Sequence, residues 1–448
     1  MKCLIIAAGQ GSRLSEMGSP KPLIPMLGLT LIERVIYTML NAGINEFYVV
    51  SGYEGEKLRR FLDELSKRKG IRIHHIPNEE WKRGNGVSVW KAKDFIKEPF
   101  VLSMSDHMFD GEIVSELTKQ TIKNDEIILA VDTNLSNKLI DLDDVTKVLT
   151  QGGKIIDIGK NINDYNAYDT GIFFCSPAIF DALERSISSG DESLSGGIKE
   201  LAKNGKARTF DIGNRFWIDV DDKKAYQKAK KHLLKGLTKD TDGPISKFLN
   251  RPISKAISSK LTKTNITPNQ ISVISFGLSI VGALLFAVGS YLPLLMGGIL
   301  AQLASIIDGC DGEVARLKFT STDFGGWFDA VLDRYADAAL LLGLTYNAYL
   351  SHSTFSYVFI GFLAIVGTFM NSYTADKYDG FMKKRIKEGG KYIRFGRDVR
   401  IFIILLGCVL NQALWTLIVI AAFMNAENIK RVVVLYAEEK SRVRQNED

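Results

Sequence analysis

Cysteine is nearly absent from this 448-residue chain: Cys3, Cys175, Cys310 and Cys408 stand far apart, with no CxxC pair and no histidine cluster beside them. Such spacing excludes a disulfide framework and a Cys/His zinc site, leaving the thiols as reduced packing residues. No secretory leader is expected from the opening residues either. The apolar run in the opening MKCLIIAAGQGSRL is cut short by glycine and arginine, so the first half is expected to stay in the cytoplasm. Acid does not dominate either, for the net charge is +6. The basic residues gather at 223–263 and 377–400, beside apolar runs, which points to a membrane surface rather than nucleic acid.

Apolar residues make up 46% of the chain and concentrate after Ile271. A soluble half and a membrane half are therefore expected. In the first, short apolar runs at 3–8, 47–51, 71–76 and 100–104 alternate with charged amphipathic segments. This predicts an α/β, Rossmann-like domain with a mainly parallel sheet, closing near Trp217–Asp222. DDKKAYQKAKKHLLKGL then reads as a basic amphipathic helix, and Asp242-Gly243-Pro244 marks a turn before a second amphipathic stretch at 245–263.

The expected division is 1–238 for the soluble domain, 239–265 for a linker with a juxtamembrane helix, and 266–448 for an all-α membrane domain. Apolar runs at 271–289, 292–307, 327–350, 355–374, 399–410 and 413–424 suggest six spans. Some fall short of the roughly 20 residues a span needs. Loops at 289–292, 351–354 and 411–412 lack Lys and Arg, whereas the opposite ends are rich in them. The positive-inside rule then puts the soluble domain and both ends of the membrane domain on the cytoplasmic side.

The first apolar run ends in Ala7-Ala8-Gly9-Gln10-Gly11-Ser12-Arg13-Leu14, and Pro20-Lys21-Pro22-Leu23 follows. Glycines let backbone N–H groups approach phosphates, while Arg13 and Lys21 can offset charge on a triphosphate and its leaving pyrophosphate. This combination resembles the sugar-phosphate nucleotidyltransferase family over roughly residues 1–230. The resemblance implies nucleotide binding by Ala7, Ala8, Gly9, Gly11, Ser12, Arg13 and Lys21, with Arg13 and Lys21 catalytic. Asn85-Gly86-Val87-Ser88 matches the base-reading segment, so Asn85, Gly86 and Ser88 are candidates, against the alternative of a plain turn before a helix. Asp106 and Asp219 match magnesium positions, and hard carboxylate oxygens suit that ion. Asp221 could replace Asp219, being one strand repeat away, and His107 reads as a neighbour. Lys160 and Asp169 lie where the family binds its phosphorylated alcohol, although a surface lysine is the plain alternative at 160.

In the second half, Asp308-x-x-Asp311-Gly312-x-x-Ala315-Arg316 precedes Gly325-x-x-x-Asp329-x-x-x-Asp333. Spacings of three and four put each acid pair on one helix face. An intramembrane Asp costs roughly 2.5–3.5 kcal/mol, so four unpaired acids would cost on the order of 10 kcal/mol. Two cations, Arg316 and Arg334, cannot neutralise them, and a divalent metal can. The pattern resembles the CDP-alcohol phosphotransferase family over about residues 245–440, including Thr267-Pro268-Asn269 at the start of the first span. It implies Mg²⁺ or Mn²⁺ on Asp308, Asp311, Asp329 and Asp333, nucleotide contacts from Asp308, Asp311, Gly312 and Ala315, and Asp333 as base for the attacking hydroxyl. Basic residues Lys377, Lys383, Lys384, Arg385, Lys391, Arg394, Arg397 and Arg400 crowd one cytoplasmic segment. Topology alone explains most of them, but Arg397 and Arg400, one helical turn apart, could clamp an acceptor phosphate.

The fusion implies that the first product is the second donor, making CTP the expected nucleotide. The arrangement resembles the fused inositol-1-phosphate cytidylyltransferase and di-myo-inositol phosphate phosphate synthase family. This implies CTP, inositol 1-phosphate and CDP-inositol as ligands, with a compatible-solute precursor as product. A multi-pass membrane protein is expected, dimeric through its membrane domain. A phospholipid synthase with a lipid acceptor, and a non-catalytic membrane carrier or nucleotide sensor, are the alternatives.

Overall fold

The computed structural model describes residues 1–239, 242–385 and 396–445. The chain divides into two compact units, Met1–His232 and Leu233–Asp448.

Nine strands build the sheet of the first unit: β1 (Lys2–Ala7), β2 (Glu46–Ser51), β3 (Arg72–Pro77), β4 (Phe100–Met104), β5 (Ile127–Asp132), β6 (Lys147–Gln151), β7 (Lys154–Gly159), β8 (Ala167–Cys175) and β9 (Ala207–Asp211). Their spatial order is β3-β2-β1-β4-β8-β5-β9-β7-β6. The β1 run CLIIA is wholly buried, as a strand covered on both faces requires. Parallel pairing holds among β1 to β4 and between β5 and β9. The expected mainly parallel sheet is interrupted by a reversed strand, since β8 runs antiparallel to both β4 and β5. A further antiparallel hairpin, β6–β7, turns at Gly152 and Gly153, with φ of 58° and 74°. Its half-exposed strands, KVLTQ and KIIDIG, interrupt their apolar residues with polar ones, so they lack the unbroken apolar run that marks β1.

Beyond the carboxyl ends of β1 and β4, a two-stranded ribbon pairs His107–Phe109 with Trp217–Asp219, setting Asp219 opposite His107. The crevice at strand carboxyl ends is where open α/β sheets bind ligands.

In the second unit the helices are α1 (Arg251–Leu261), α2 (Pro268–Phe286), α3 (Tyr291–Leu317), α4 (Asp323–His352), α5 (Phe355–Arg385), α6 (Arg397–Val409) and α7 (Ala413–Gln445). A capping box starts α2: Thr267 Oγ1 accepts from the Gln270 N–H at 3.3 Å, and Gln270 Oε1 accepts from the Thr267 N–H at 2.9 Å. Helices α2 and α3 meet at Gly282 and Gly297, where a Cβ on Gly297 would lie 2.7 Å from the Gly282 carbonyl oxygen.

Among the described residues, three helices are long and apolar enough to cross a membrane: Pro268–Phe286, Tyr291–Leu317 and Phe355–Ala375. Six were expected. Helix α4 is long enough but carries Asp329, Asp333, Arg334 and Asp337 along its first half. Helix α6 has 13 residues, a rise of about 20 Å against a hydrocarbon core of about 30 Å.

The stretch at 245–263, read from sequence as a juxtamembrane helix, docks on α3 through a buried polar network. Glu313 accepts from Arg251 Nη1, Ser254 Oγ and Ser258 Oγ, each at 2.7 Å, and Asp242 holds the other side of Arg251 at 2.8 Å.

Candidate active sites

Two acidic centres stand in the two units, each built where the sequence motifs meet.

In the first unit, Gly11 adopts φ 64°, and a Cβ there would lie 2.5 Å from Cβ of Lys21. The glycine therefore sets the turn and also makes room for the lysine, which is 6% exposed. Lys21 Nζ bonds Asp106 at 2.6 Å and also Asp221, and stands 4.0 Å from Asp219. Arg13 Nη2 reaches Asp144 at 2.6 Å and Asp221 at 2.9 Å. Asp221, the alternative metal ligand of the sequence reading, thus ties the two cations together. His107 Nδ1 lies 3.0 Å from Asp106 and 3.8 Å from Asp219, closer to the acids than a mere neighbour.

Charge controls the protonation of this cluster. Burial disfavours the Lys21 ammonium, but Asp106, Asp219 and Asp221 outweigh it and hold the group well above its usual range. Burial raises Asp106, while Lys21 and His107 more than reverse this and keep it ionised. Burial likewise opposes the charged form of His107, yet Asp219 and Asp106 raise it to about 9. Burial pushes Asp219 up to about 7 against the pull of His107.

Ligand atoms of Asp106, His107 and Asp219 all lie within 4.8 Å of one another. Asp219 Oδ1 is buried without a hydrogen-bond partner. An orphaned carboxylate oxygen beside the ionised Asp106 carboxylate fits a divalent cation.

A cavity of ≈ 590 Å³ opens over this cluster, lined among others by Arg13, Asn85, His107, Lys160, Asp169 and Asp219. Lys160 pairs with Asp144, as Arg13 does. Asp169 accepts from the Gly171 N–H at 2.7 Å, and burial raises its carboxyl to about 6. Gly171 has no Cβ to strike the His107 ring, which would lie 2.6 Å away. Asn85 faces the cavity but spends its Oδ1 on the Leu194 N–H at 2.9 Å. Gly86 packs on the 192–193 backbone, and Ser88 is buried, accepting from Asn78 Nδ2 at 3.0 Å. The 85–88 segment, expected to read the base, is thus a tightly supported wall rather than an open set of side chains. Ala7 and Ala8 are buried at the end of β1, while Gly9 has nothing within 4 Å of a Cβ position. Ser12 opens the short helix Ser12–Met17.

In the second unit, ligand atoms of Asp308 on α3 and of Asp329 and Asp333 on α4 lie within 4.8 Å of one another. Asp329 Oδ1 is buried and unpartnered, so this trio also fits a divalent cation. Asp311, expected in the same set, is held by Ser272 Oγ at 2.5 Å and by the Gly312 N–H. Gly312 leaves Arg316 close by, 3.2 Å from a Cβ position, and Ala315 is buried. Helix α2 enters the centre through Ser272 and Ser275, whose Oγ donates to Asp308 at 3.2 Å. Neither serine was singled out from sequence, although their three-residue spacing after Thr267-Pro268 puts them on one face.

Among the described residues, the cation in direct ion-pair contact with these acids is Arg397. Its Nη1 stands 2.8 Å from Asp308 and 2.6 Å from Asp333, and its Nε 3.2 Å from Asp337. Arg400, expected beside it as a phosphate ligand, is 2% exposed and bonds Asp337. Asp337 was missed, yet it continues the four-residue register Asp329, Asp333, Asp337. Lys391 and Arg394, and the side chains of Lys377, Lys383, Lys384 and Arg385, lie outside the described residues.

Residues 3–195 match the model of the MobA-like NTP transferase domain, and residues 265–428 match that of the CDP-alcohol phosphatidyltransferase family. A bifunctional IPC transferase and DIPP synthase from Rubrobacter xylanophilus is 36% identical over 438 residues, 96% of this chain and 95% of the relative. Its namesake from Aquifex aeolicus is 33% identical over 97% of both chains. The solved inositol-1-phosphate CTP transferase from T. maritima aligns with 51% of this chain and 95% of its own, at 25% identity and a TM-score of 0.46.

Proposed function

Because this chain belongs to the family of bifunctional IPC transferase and DIPP synthases, we propose that its two centres catalyse consecutive reactions. In the first, a phosphate oxygen of inositol 1-phosphate attacks the α-phosphorus of CTP, giving CDP-inositol and pyrophosphate. In the second, a hydroxyl of another inositol 1-phosphate attacks the phosphorus that bears inositol in CDP-inositol. That step gives di-myo-inositol phosphate phosphate and CMP. The carrying observation is the pairing in one chain of a cation-and-acid cluster under a cavity with a second cluster of three carboxylates.

At the first centre, Lys21 and Arg13 face the growing negative charge, both pre-set by Asp221. Asp106 and Asp219 hold Mg²⁺, and Lys160 and Asp169 receive the phosphorylated alcohol. Gly9, Gly11 and the 85–88 wall bound the nucleotide. At the second centre, Asp308, Asp329 and Asp333 hold Mg²⁺ or Mn²⁺, with Asp311 completing the acidic face. Bound there, a divalent ion supplies charge neutralisation for both entering and leaving oxygens. Asp333 takes the proton from the attacking hydroxyl, and Arg397 receives the acceptor's phosphate.

Six spans with the first unit on the cytoplasmic side, and a dimer through the membrane domain, complete the reading. The cytoplasmic placement is supported by the basic segments flanking the apolar helices. Incubating purified protein with CTP or UTP and a panel of alcohol phosphates tests the assignment through pyrophosphate release. The reading expects CTP with inositol 1-phosphate to turn over fastest, and preference for another nucleotide or alcohol would displace it.

A further inference from the structure

Asp337 sits one turn beyond Asp333 on the same face of α4 but outside the three-carboxylate cluster. Its carboxylate has no solvent exposure and grips two guanidinium groups, Arg397 through Nε at 3.2 Å and Arg400 through Nη2. Arg397 and Arg400 are three residues apart on α6, so one acid meets both from a single helix face. Arg397 is the more exposed of the two, at 15% against 2% for Arg400, and its Nη1 points to Asp308 and Asp333.

The formal charges of Arg400 and Asp337 cancel, so the pair adds no net charge to the acidic centre. Nor does stability account for it, since a buried ion pair is commonly no better than apolar residues of the same volume. What the pair does supply is direction. A guanidinium on a flexible stem aims reliably only when part of its donor set is already tied down. Asp337 ties Nε, and Arg400 fixes Asp337.

We propose that Asp337 and Arg400 are positioning residues that aim Arg397 at the phosphate of the acceptor alcohol. The inference rests on the reading of Arg397 as the acceptor-phosphate ligand. Neither positioning residue touches the reacting atoms.

The test measures coupling of supplied CDP-inositol to inositol 1-phosphate, and to unphosphorylated inositol, by the full-length protein in detergent. The variants are Arg397→Gln, Asp337→Asn, Arg400→Met and the double variant Asp337→Asn with Arg400→Met. Both single positioning variants should raise KM for inositol 1-phosphate by roughly tenfold or more while KM for CDP-inositol stays within about twofold. Preference for the phosphorylated acceptor over inositol should fall by a similar factor. The double variant leaves no unpaired charge between these two positions, so it should fold even where a single variant does not, and it should show the same loss. Unchanged acceptor KM in the double variant, with a raised KM in Arg397→Gln, overturns the positioning role. So does equal loss with both acceptors, which marks a purely structural pair. If Arg397→Gln itself keeps the parent acceptor KM, the acceptor-phosphate reading fails first and the positioning role with it.

Discussion

Gly11 carries two constraints at once, a left-handed backbone at φ 64° and a neighbour, Lys21, that would lie 2.5 Å from any Cβ. Alanine there strains the turn and pushes Lys21 aside. Gly11→Ala should therefore lower kcat for cytidylyl transfer by roughly 10²-fold, the cost of about 1 Å of misplacement, as read by pyrophosphate release. Asp169 offers a pH-dependent test. Burial raises its carboxyl to about 6, so on the proposed reading the carboxylate that accepts hydrogen bonds from substrate hydroxyls is present above that pH and is neutralised below it. KM for inositol 1-phosphate should rise as pH falls through about 6. Ionisation of the substrate's own phosphate, also near pH 6, persists in Asp169→Asn, so the difference between the two pH profiles isolates Asp169. Identical profiles would remove it from the acceptor site.

At the scale of elements, the apolar runs that became β1, β2 and β4 were legible because parallel strands buried on both faces read as continuous apolar sequence, whereas the edge strand β3 showed only isolated isoleucines. The β6–β7 hairpin and the antiparallel course of β8 were not, since pairing direction depends on contacts remote in sequence. The acid motifs on α3 and α4 were legible through helical spacing alone. Their partners on other helices were not: Ser272, Ser275 and Arg397 reach the acids only because three-dimensional packing brings α2 and α6 alongside. The same limit hid Glu313, which fastens α1 to α3 through Arg251, Ser254 and Ser258. Glu313→Ala leaves Arg251 with Asp242 alone and strips two buried hydroxyls of their shared acceptor. It should lower the apparent Tm of the detergent-solubilised protein by roughly 5–10 °C. A Tm within a degree or two of the parent's would show that the network does not hold α1 in place.

At the scale of the whole molecule, the chain carries two compact units with separate cores, and each centre draws its residues from one unit. Lys21→Ala should accordingly abolish CDP-inositol formation from CTP and leave coupling from supplied CDP-inositol near the parent rate. The complementary block tests the central claim most directly. Purified Asp333→Asn protein is incubated with CTP and isotope-labelled inositol 1-phosphate, and the products are identified by mass. The amide nearly preserves side-chain volume but accepts no hydroxyl proton and weakens any metal bond. The account predicts that labelled CDP-inositol and pyrophosphate accumulate while CMP and the doubly labelled coupled product are missing. Formation of that coupled product at near the parent rate, by a variant folded and inserted normally, would contradict it.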